Sequence, residues 1–315
     1  MIGDTGMKLL SAIVPCYNEQ DNIRDFYDEF MKNEPDFKSR DLEVELIFVD
    51  DGSTDLTVKN VKELAEKDNR IHLISFSRNF GKEAAILAGL RRSQGDLTVI
   101  MDADLQDPPS LLPQMLDHIE EGYDSVATRR VTRKGEPLIR SFFARRFYSL
   151  MRRMSKTEIV DGARDYRLMT RQVVDAILSM PEYCRFTKGI FGWVGFNTKW
   201  IEFENVERRK GETKWSFGKL LVYSIEGITS FSTAPLGLAA FIGLLFCLLA
   251  FAAIIFVFVR AFFFGDPTSG WPSLVCIILL VSGIQLFCIG IVGEYLAKAY
   301  LEVKQRPVYL VKEEI

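Results

Sequence analysis

The chain has little of several things that would narrow its chemistry at once. Of its 315 residues only two are histidine, His72 and His118. Neither sits in a motif, so a histidine-centred triad and a histidine-rich metal site are poor prospects. The five cysteines, Cys16, Cys184, Cys247, Cys276 and Cys288, are scattered with no CxxC pair. That pattern argues against structural zinc and a disulfide framework, and it fits a reducing compartment. Excess positive charge is missing too. A formal net charge of -3 gives no field to collect nucleic-acid phosphates, so no nucleic-acid partner is expected. The phosphate-loop pattern GxxxxGK[ST] is absent, which disfavours a P-loop kinase. No secretory leader is expected: residues 1–8 are polar, and the apolar run 9–14 is too short for one.

What the chain does have is uninterrupted apolar sequence toward its end. Residues 234–259 and 272–293 contain no Asp, Glu, Lys or Arg. A helix rises about 1.5 Å per residue, so roughly 20 residues cross a hydrocarbon core about 30 Å thick. Both runs read as membrane spans. The connector 260–271 holds Gly265, Asp266, Pro267 and Gly270, which are loop residues, so the spans form a helical hairpin. Arg260 is the connector's sole basic residue. Arg208, Arg209, Lys210, Lys214 and Lys219 precede the first span, and Lys298, Lys304, Arg306 and Lys312 follow the second. The positive-inside rule then puts both ends in the cytoplasm of a cell (inner) membrane protein. The expected organisation is a cytoplasmic domain over 1–206, a juxtamembrane basic loop and amphipathic helix over 207–232, a transmembrane hairpin over 233–298 and a cytoplasmic tail over 299–315.

Upstream, strand signals at 9–14, 44–49, 71–76, 97–101 and 125–127 alternate with helix signals at 22–31, 56–67, 83–92 and 110–121. Near-continuous apolar strands alternating with helices predict an α/β domain with a mainly parallel sheet covered on both faces. Residues 137–154 and 216–231 read as basic or amphipathic helices suited to a membrane surface.

Open parallel sheets bind ligands beyond the carboxyl ends of their strands. Acidic residues stand there after three strands: Glu19; Asp50, Asp51 and Asp55; Asp102, Asp104 and Asp107. Parallel topology puts them on one edge. Clustered carboxylates repel unless a cation joins them. Oxygen donors without nearby His or Cys select a hard ion, Mg²⁺ or Mn²⁺. Asp102 and Asp104 are spaced i, i+2, so one can hold the ion while the other orients water or a ribose. Diphosphate oxygens would complete the ion's shell, since Mg²⁺ usually takes only one or two carboxylates.

The stretches Val14-Pro15-Cys16-Tyr17-Asn18-Glu19, Asp50-Asp51-Gly52-Ser53-Thr54-Asp55 and Met101-Asp102-Ala103-Asp104-Leu105-Gln106 resemble the signature elements of family 2 glycosyltransferases, whose fold is GT-A. Phe76-Ser77-Arg78-Asn79-Phe80-Gly81-Lys82-Glu83 resembles the loop of the polyprenyl-phosphate branch, which includes dolichyl-phosphate mannose synthase and bacterial lipid-phosphate glucosyltransferases. The resemblance runs through essentially the whole chain, hairpin included. It implies a GT-A nucleotide-sugar-binding domain followed by amphipathic juxtamembrane helices and the two-helix hairpin.

It also implies site residues. Pro15, Tyr17, Glu19 and Asp51 would contact the nucleoside of the donor, with Asp102 beside them. Asp102, Asp104 and Gln106 would surround the metal and the diphosphate. In Asp161-Gly162-Ala163-Arg164-Asp165-Tyr166-Arg167-Leu168, similar to the family's acceptor-side segment, Asp165 matches the aspartate proposed to orient or deprotonate the acceptor. Asp161 is its rival, and spacing does not separate them. Asp165, Asp104 and Asp161 are thus the catalytic candidates. Arg208 and Lys214 match the family's basic loop, where two cations flanking Gly211 can close over phosphates. With Arg129 and Arg140 they make up the candidate acceptor- and phosphate-binding set.

The implied activity is inverting, metal-dependent transfer of a hexose from a nucleotide-sugar to polyprenyl (undecaprenyl) phosphate on the cytoplasmic leaflet. UDP-glucose ranks ahead of UDP-N-acetylglucosamine and GDP-mannose as donor. Membrane lipids surround the hairpin, a separate flippase would act downstream, and homo-oligomers joined through the hairpins are compatible with the pattern. A lipid or protein hydroxyl is the alternative acceptor. A processive polymer synthase would carry a QxxRW-like motif, yet no Trp follows an Arg anywhere. A non-enzymatic membrane scaffold would not need Asp51, Asp102 and Asp104.

Overall fold

The computed structural model describes residues 7–130, 160, 162–203, 234–264 and 270–315. Its elements run β1 (Lys8–Cys16), α1 (Ile23–Met31), α2 (Glu34–Ser39), β2 (Leu42–Asp50), α3 (Thr57–Ala65), β3 (Ile71–Phe76), α4 (Lys82–Arg92), β4 (Leu97–Ile100), α5 (Leu112–Glu120) and β5 (Ser125–Arg130). There follow β6 (Ala163–Thr170), α6 (Arg171–Leu178), α7 (Thr187–Trp193), β7 (Thr198–Phe203), α8 (Ala234–Phe264), α9 (Trp271–Lys304) and β8 (Val311–Glu314). The expected basic and amphipathic helices at 137–154 and 216–231 lie outside the described residues.

One eight-stranded sheet is ordered β7-β5-β6-β4-β1-β2-β3-β8. Its centre is parallel: β1 pairs with β2 and β4, and β2 with β3. Antiparallel pairing enters at β6, which lies between β4 and β5, and at the edge strand β8. The strand pattern explains the layers. Along β1, Leu10, Ala12 and Val14 face one core and Ile13 the other; along β2, Leu46 and Phe48 oppose Ile47 and Val49. Period-two alternation with both faces apolar is what a sheet covered on two sides requires. One core gathers Phe26, Phe30, Phe37 and Tyr166; the other gathers Ile74, Phe76, Val174 and Ile190.

The C-terminal part departs from expectation in two ways. Helix α9 continues to Lys304 instead of ending near 298, and the tail beyond it is a strand of the domain. β8 pairs antiparallel with β3, Tyr309 stacks on Phe76 at 4.9 Å, and Lys62 meets Glu313 at 2.5 Å. Glu302, near the end of α9, accepts hydrogen bonds at 3.0 Å from the backbone N–H groups of Tyr183 and Cys184, just before α7. Helices α8 and α9 contain stretches long and apolar enough to cross a membrane, Pro235–Ala253 and Leu280–Lys304, and almost nothing in them is buried by protein. A soluble core helix would be covered.

Candidate active site

The register of the sheet assembles the site. Cys16 at the end of β1 pairs with Asp50 at the end of β2, the Asp51 N–H donates to the Cys16 carbonyl, and the Met101 N–H after β4 donates to the Ile13 carbonyl. All three acidic strand ends therefore share one edge, as expected. β6 runs against β4 with Ile100 opposite Arg167. Just beyond that pairing stand Asp102 and Asp165, and Lys82 Nζ reaches both. Asp165 thus reaches the donor edge through a pairing between strands far apart in sequence.

The first two loops are tied to each other by backbone donors. The Asn18 N–H donates to Ser53 Oγ and the Thr54 N–H to Asn18 Oδ1, both at 2.9 Å; the Glu19 N–H donates to Thr57 Oγ1 at 2.9 Å. Asn18 holds φ 55°, a left-handed conformation that Asn tolerates. Tyr17 stands at the rim, 39% exposed, while Pro15 remains in strand pairing with Val49. Gly52 is required sterically. A Cβ there would lie 2.4 Å from the Arg78 carbonyl carbon, and its φ is +72°.

Asp51 is buried and its carboxylate accepts the N–H groups of Phe80 at 2.6 Å and Gly81 at 2.9 Å. Burial pushes this carboxyl above its ordinary value, although those two N–H bonds pull the other way. In this arrangement Asp51 holds the 78–81 loop. The next two residues reach further. Lys82 Nζ lies 2.6 Å from Asp102 Oδ1 and 2.5 Å from Asp165 Oδ2. Glu83 accepts from the N–H of Thr187 at 2.9 Å and from its hydroxyl, which anchors the start of α7. Gly81, Lys82 and Glu83 thus connect the second loop, the Asp-x-Asp loop with β6, and α7.

Burial opposes ionisation of Asp165, but the charges of Lys82 and Lys188 outweigh it and hold the carboxyl well below the usual carboxylate range. For Lys82, burial is likewise outweighed by Asp102 and Asp165, and its pKa rises. Lys188 Nζ stands 3.9 Å from Asp165 Oδ1.

The Asp-x-Asp loop is pinned from below. Arg164 Nε reaches Asp107 Oδ1 at 2.9 Å and Oδ2 at 3.2 Å, and Asp107 is fully buried. Arg164 also donates a long 3.4 Å bond to Gln106 Oε1, and the Gln106 N–H donates to Asp104 Oδ1 at 3.1 Å. Between them Leu105 adopts φ 56°. A left-handed non-glycine residue costs about 1–3 kcal/mol and such strain clusters at functional sites.

The donor set suits a hard divalent cation. Asp102 and Asp104 offer oxygen alone, and an ammonium already takes a cation's place against Asp102. Among the described residues no three His, Cys, Asp or Glu side chains form a protein-only cage.

Of the phosphate-binding candidates, Arg129 is paired with Glu202 on β7; Arg140, Arg208 and Lys214, with Asp161, lie outside the described residues. Lys82, Glu83, Asp107, Arg164 and Lys188 were not singled out by motif. The signals were there for four of them: Lys82 and Glu83 stand in the quoted 76–83 stretch, Arg164 in the quoted 161–168 stretch, and Asp107 among the acids after the fourth strand; for Lys188 there was none.

The match to the model of glycosyl transferase family 2 covers residues 11–178. The chain belongs to this family. Its GT-A-like architecture is the β3-β2-β1-β4 parallel centre with β6 antiparallel beside it. Family members as similar include the provisionally named glycosyltransferase CsbB of Bacillus subtilis (strain 168), 42% identical over 97% of this chain and 92% of the relative. The bactoprenol glucosyl transferase of Shigella phage SfII is 39% identical over 96% of this chain and 97% of the relative. Among solved structures, the mannosyltransferase PcManGT of Pyrobaculum calidifontis in complex with GDP-Man and Mn²⁺ is a distant likeness, with TM-score 0.44 and 17% identity over 96% of this chain and 87% of that one. The family 2 chain described here is therefore a glycosyltransferase, and enzymes of this family generally depend on a divalent metal.

Proposed function

We propose that the enzyme transfers a hexose, with inversion, from a nucleotide-sugar to polyprenyl phosphate at the cytoplasmic membrane face. The observation that carries the choice of acceptor is the Asp165 carboxylate held between Lys82 and Lys188. A carboxylate so stabilised is a weak base. An alcohol acceptor would need a competent base, whereas a phosphate monoester is already anionic near neutral pH. Asp165 then orients the acceptor and does not deprotonate it. The names of relatives such as the bactoprenol glucosyl transferase support the same acceptor class.

Pro15, Tyr17, Glu19 and Asp51 line the nucleoside side, and Asp102, Asp104 and Gln106 face the diphosphate. Asp102 and Asp104 would hold Mg²⁺ or Mn²⁺, which neutralises charge building on the departing nucleotide. Arg129, Arg140, Arg208 and Lys214 supply further cations for phosphate, and Asp161 remains a second acceptor-side acid. UDP-glucose is the preferred donor, followed by UDP-N-acetylglucosamine and GDP-mannose.

The union of β8 with β3 supports a two-span hairpin. A tail that belongs to the catalytic sheet must return to the side from which the chain entered the membrane. The excess of basic residues on that side supports a cytoplasmic location. The lipid-linked sugar would then need a separate flippase, and the hairpins offer a surface for self-association. The test is to incubate the full-length protein in lipid with undecaprenyl phosphate, Mg²⁺ or Mn²⁺ and a panel of nucleotide-sugars. A product of lipid phosphate plus one hexose is expected; no mass increment with any donor would overturn the proposal.

A further inference from the structure

A concave feature opens beside Asp165, and it shares Arg164 and Lys188 with the site above. It is a cleft of about 210 Å³ between β6, β7 and α7. Its polar lining includes Arg164, Arg167 and Lys188, and its walls include Phe191, Phe196 and Trp200. Cations grouped against aromatic surface suit a ligand with an anionic head and an apolar body.

Arg167 is the decisive residue. It is 5% exposed, yet among the described residues its guanidinium has one side-chain acceptor, Ser125 Oγ at 3.0 Å, and its Nε has no hydrogen-bond partner. The guanidinium lies 4.4 Å from the Phe191 ring and 5.3 Å from that of Trp200, which hold it in place. A buried charge is normally compensated by an opposite charge and several hydrogen bonds. Among the described residues Arg167 is met by one neutral hydroxyl and two aromatic faces, and the anion acting on it, Asp165 two residues earlier on β6, is already shared with Lys82 and Lys188, so the cations here outnumber the carboxylate they share. Lys188 completes the geometry. It is 26% exposed, donates to the Ala163 carbonyl at 3.1 Å, and stands 3.9 Å from Asp165. It joins the cleft to the carboxylate at the reacting edge.

We propose that this cleft seats the acceptor's phosphate monoester, with Arg167 and Lys188 as its cationic partners and Phe191, Phe196 and Trp200 as the wall for its first isoprenoid carbons. The inference rests on the reading that the acceptor is a polyprenyl phosphate. The phosphate would bring a second anion to Arg167 and Lys188 beside the carboxylate of Asp165, and Lys188 would turn one oxygen toward the donor's anomeric carbon. Arg164, committed to Asp107, shapes the rim and stays where it is.

The test uses full-length enzyme in lipid nanodiscs with farnesyl phosphate as the probe acceptor and the donor identified by the panel above. Lys188→Gln should raise the acceptor KM about tenfold, the loss expected for one charge-assisted hydrogen bond, with donor affinity unchanged. Arg167→Met should do the same or more, and Arg167→Lys should recover part of the loss. Should the Arg167 variants fail to fold, Trp200→Ala serves instead: it should raise the KM for farnesyl phosphate more than for a short-chain alkyl phosphate. A purely structural role would move donor and acceptor constants together. If the wild type glycosylates farnesyl phosphate and the acceptor KM survives Lys188→Gln and Trp200→Ala unchanged, the cleft assignment falls while the activity stands. If the wild type glycosylates farnesol and not farnesyl phosphate, the underlying reading falls with it.

Discussion

The proposed donor side and the proposed acceptor side of this site are built differently. On the donor side, backbone N–H groups do most of the holding: Asn18, Glu19 and Thr54 tie the first two loops together, and Phe80 and Gly81 fasten onto Asp51. On the acceptor side, long cationic side chains do the work, with Lys82 and Lys188 on Asp165 and Arg167 between two aromatic rings. A diphosphate donor with a fixed shape is well served by a rigid, pre-formed edge. An acceptor that arrives from a membrane needs charges able to exchange one partner for another. Lys82 sits where both halves meet, since it bridges Asp102 and Asp165.

The largest effect should come from the donor half. Asp104→Asn should lower kcat by about 10³-fold or more, because charge on the leaving diphosphate loses its main stabilisation. Thermal unfolding should stay near wild type, and extra Mg²⁺ or Mn²⁺ should restore little.

Removing the bridge comes next. Lys82→Met should cost roughly 10²-fold in kcat and should alter the pH profile. In the wild type the Asp165 carboxyl is held below its ordinary value of 3.8, so it stays ionised across the working range. The carboxylate's contribution to stability is then complete above the ordinary value and fades as pH falls through the lowered one. Without Lys82, burial acts on Asp165 with less opposition, its pKa rises, and the acid limb of kcat/KM should move to higher pH. An unmoved limb would show that Lys82 does not set the Asp165 charge.

A smaller effect tests donor-side rigidity. Gly52→Ala forces a Cβ against the Arg78 backbone at positive φ, and should destabilise the domain by about 1–3 kcal/mol. Donor KM should rise more than acceptor KM. Smallest of all, deletion of residues 306–315 removes β8 and its largely exposed pairs, such as Arg92 with Glu314. Each such pair contributes little, so melting should fall by only about 2–4 °C, while transfer in lipid should drop in part, because Glu302 still ties α9 to the domain through Tyr183 and Cys184.

Much of the donor half was legible before any coordinates. The strands β1 to β4 are apolar runs followed directly by acids, and a parallel sheet has one place to put such ends. The acceptor half was not. Asp165 was reached by resemblance alone, and the partners that define its charge were hidden. Lys82 comes from the start of α4 and Lys188 from α7, and β6 itself reaches this edge by antiparallel pairing with β4, a strand some 65 residues away in sequence. No local periodicity encodes that pairing. β8 was missed for a different reason: Val311–Glu314 has the sequence VKEE, and a polar edge strand lacks the apolar alternation that marks a half-buried one. Helix α9 ran past its expected end because the apolar pattern stops near Gly293, while Glu302 finds its partners in the domain.

In the proposed reaction Asp165 is a fixed anion and the acceptor brings its own negative charge. The direct measurement offers the enzyme undecaprenyl phosphate and undecaprenol, in equal amounts, with the same donor and metal, and weighs the lipid products. Sugar on the phosphate lipid alone is the predicted result. Sugar on the alcohol would mean that Asp165, or another group, acts as a base, and would contradict the account.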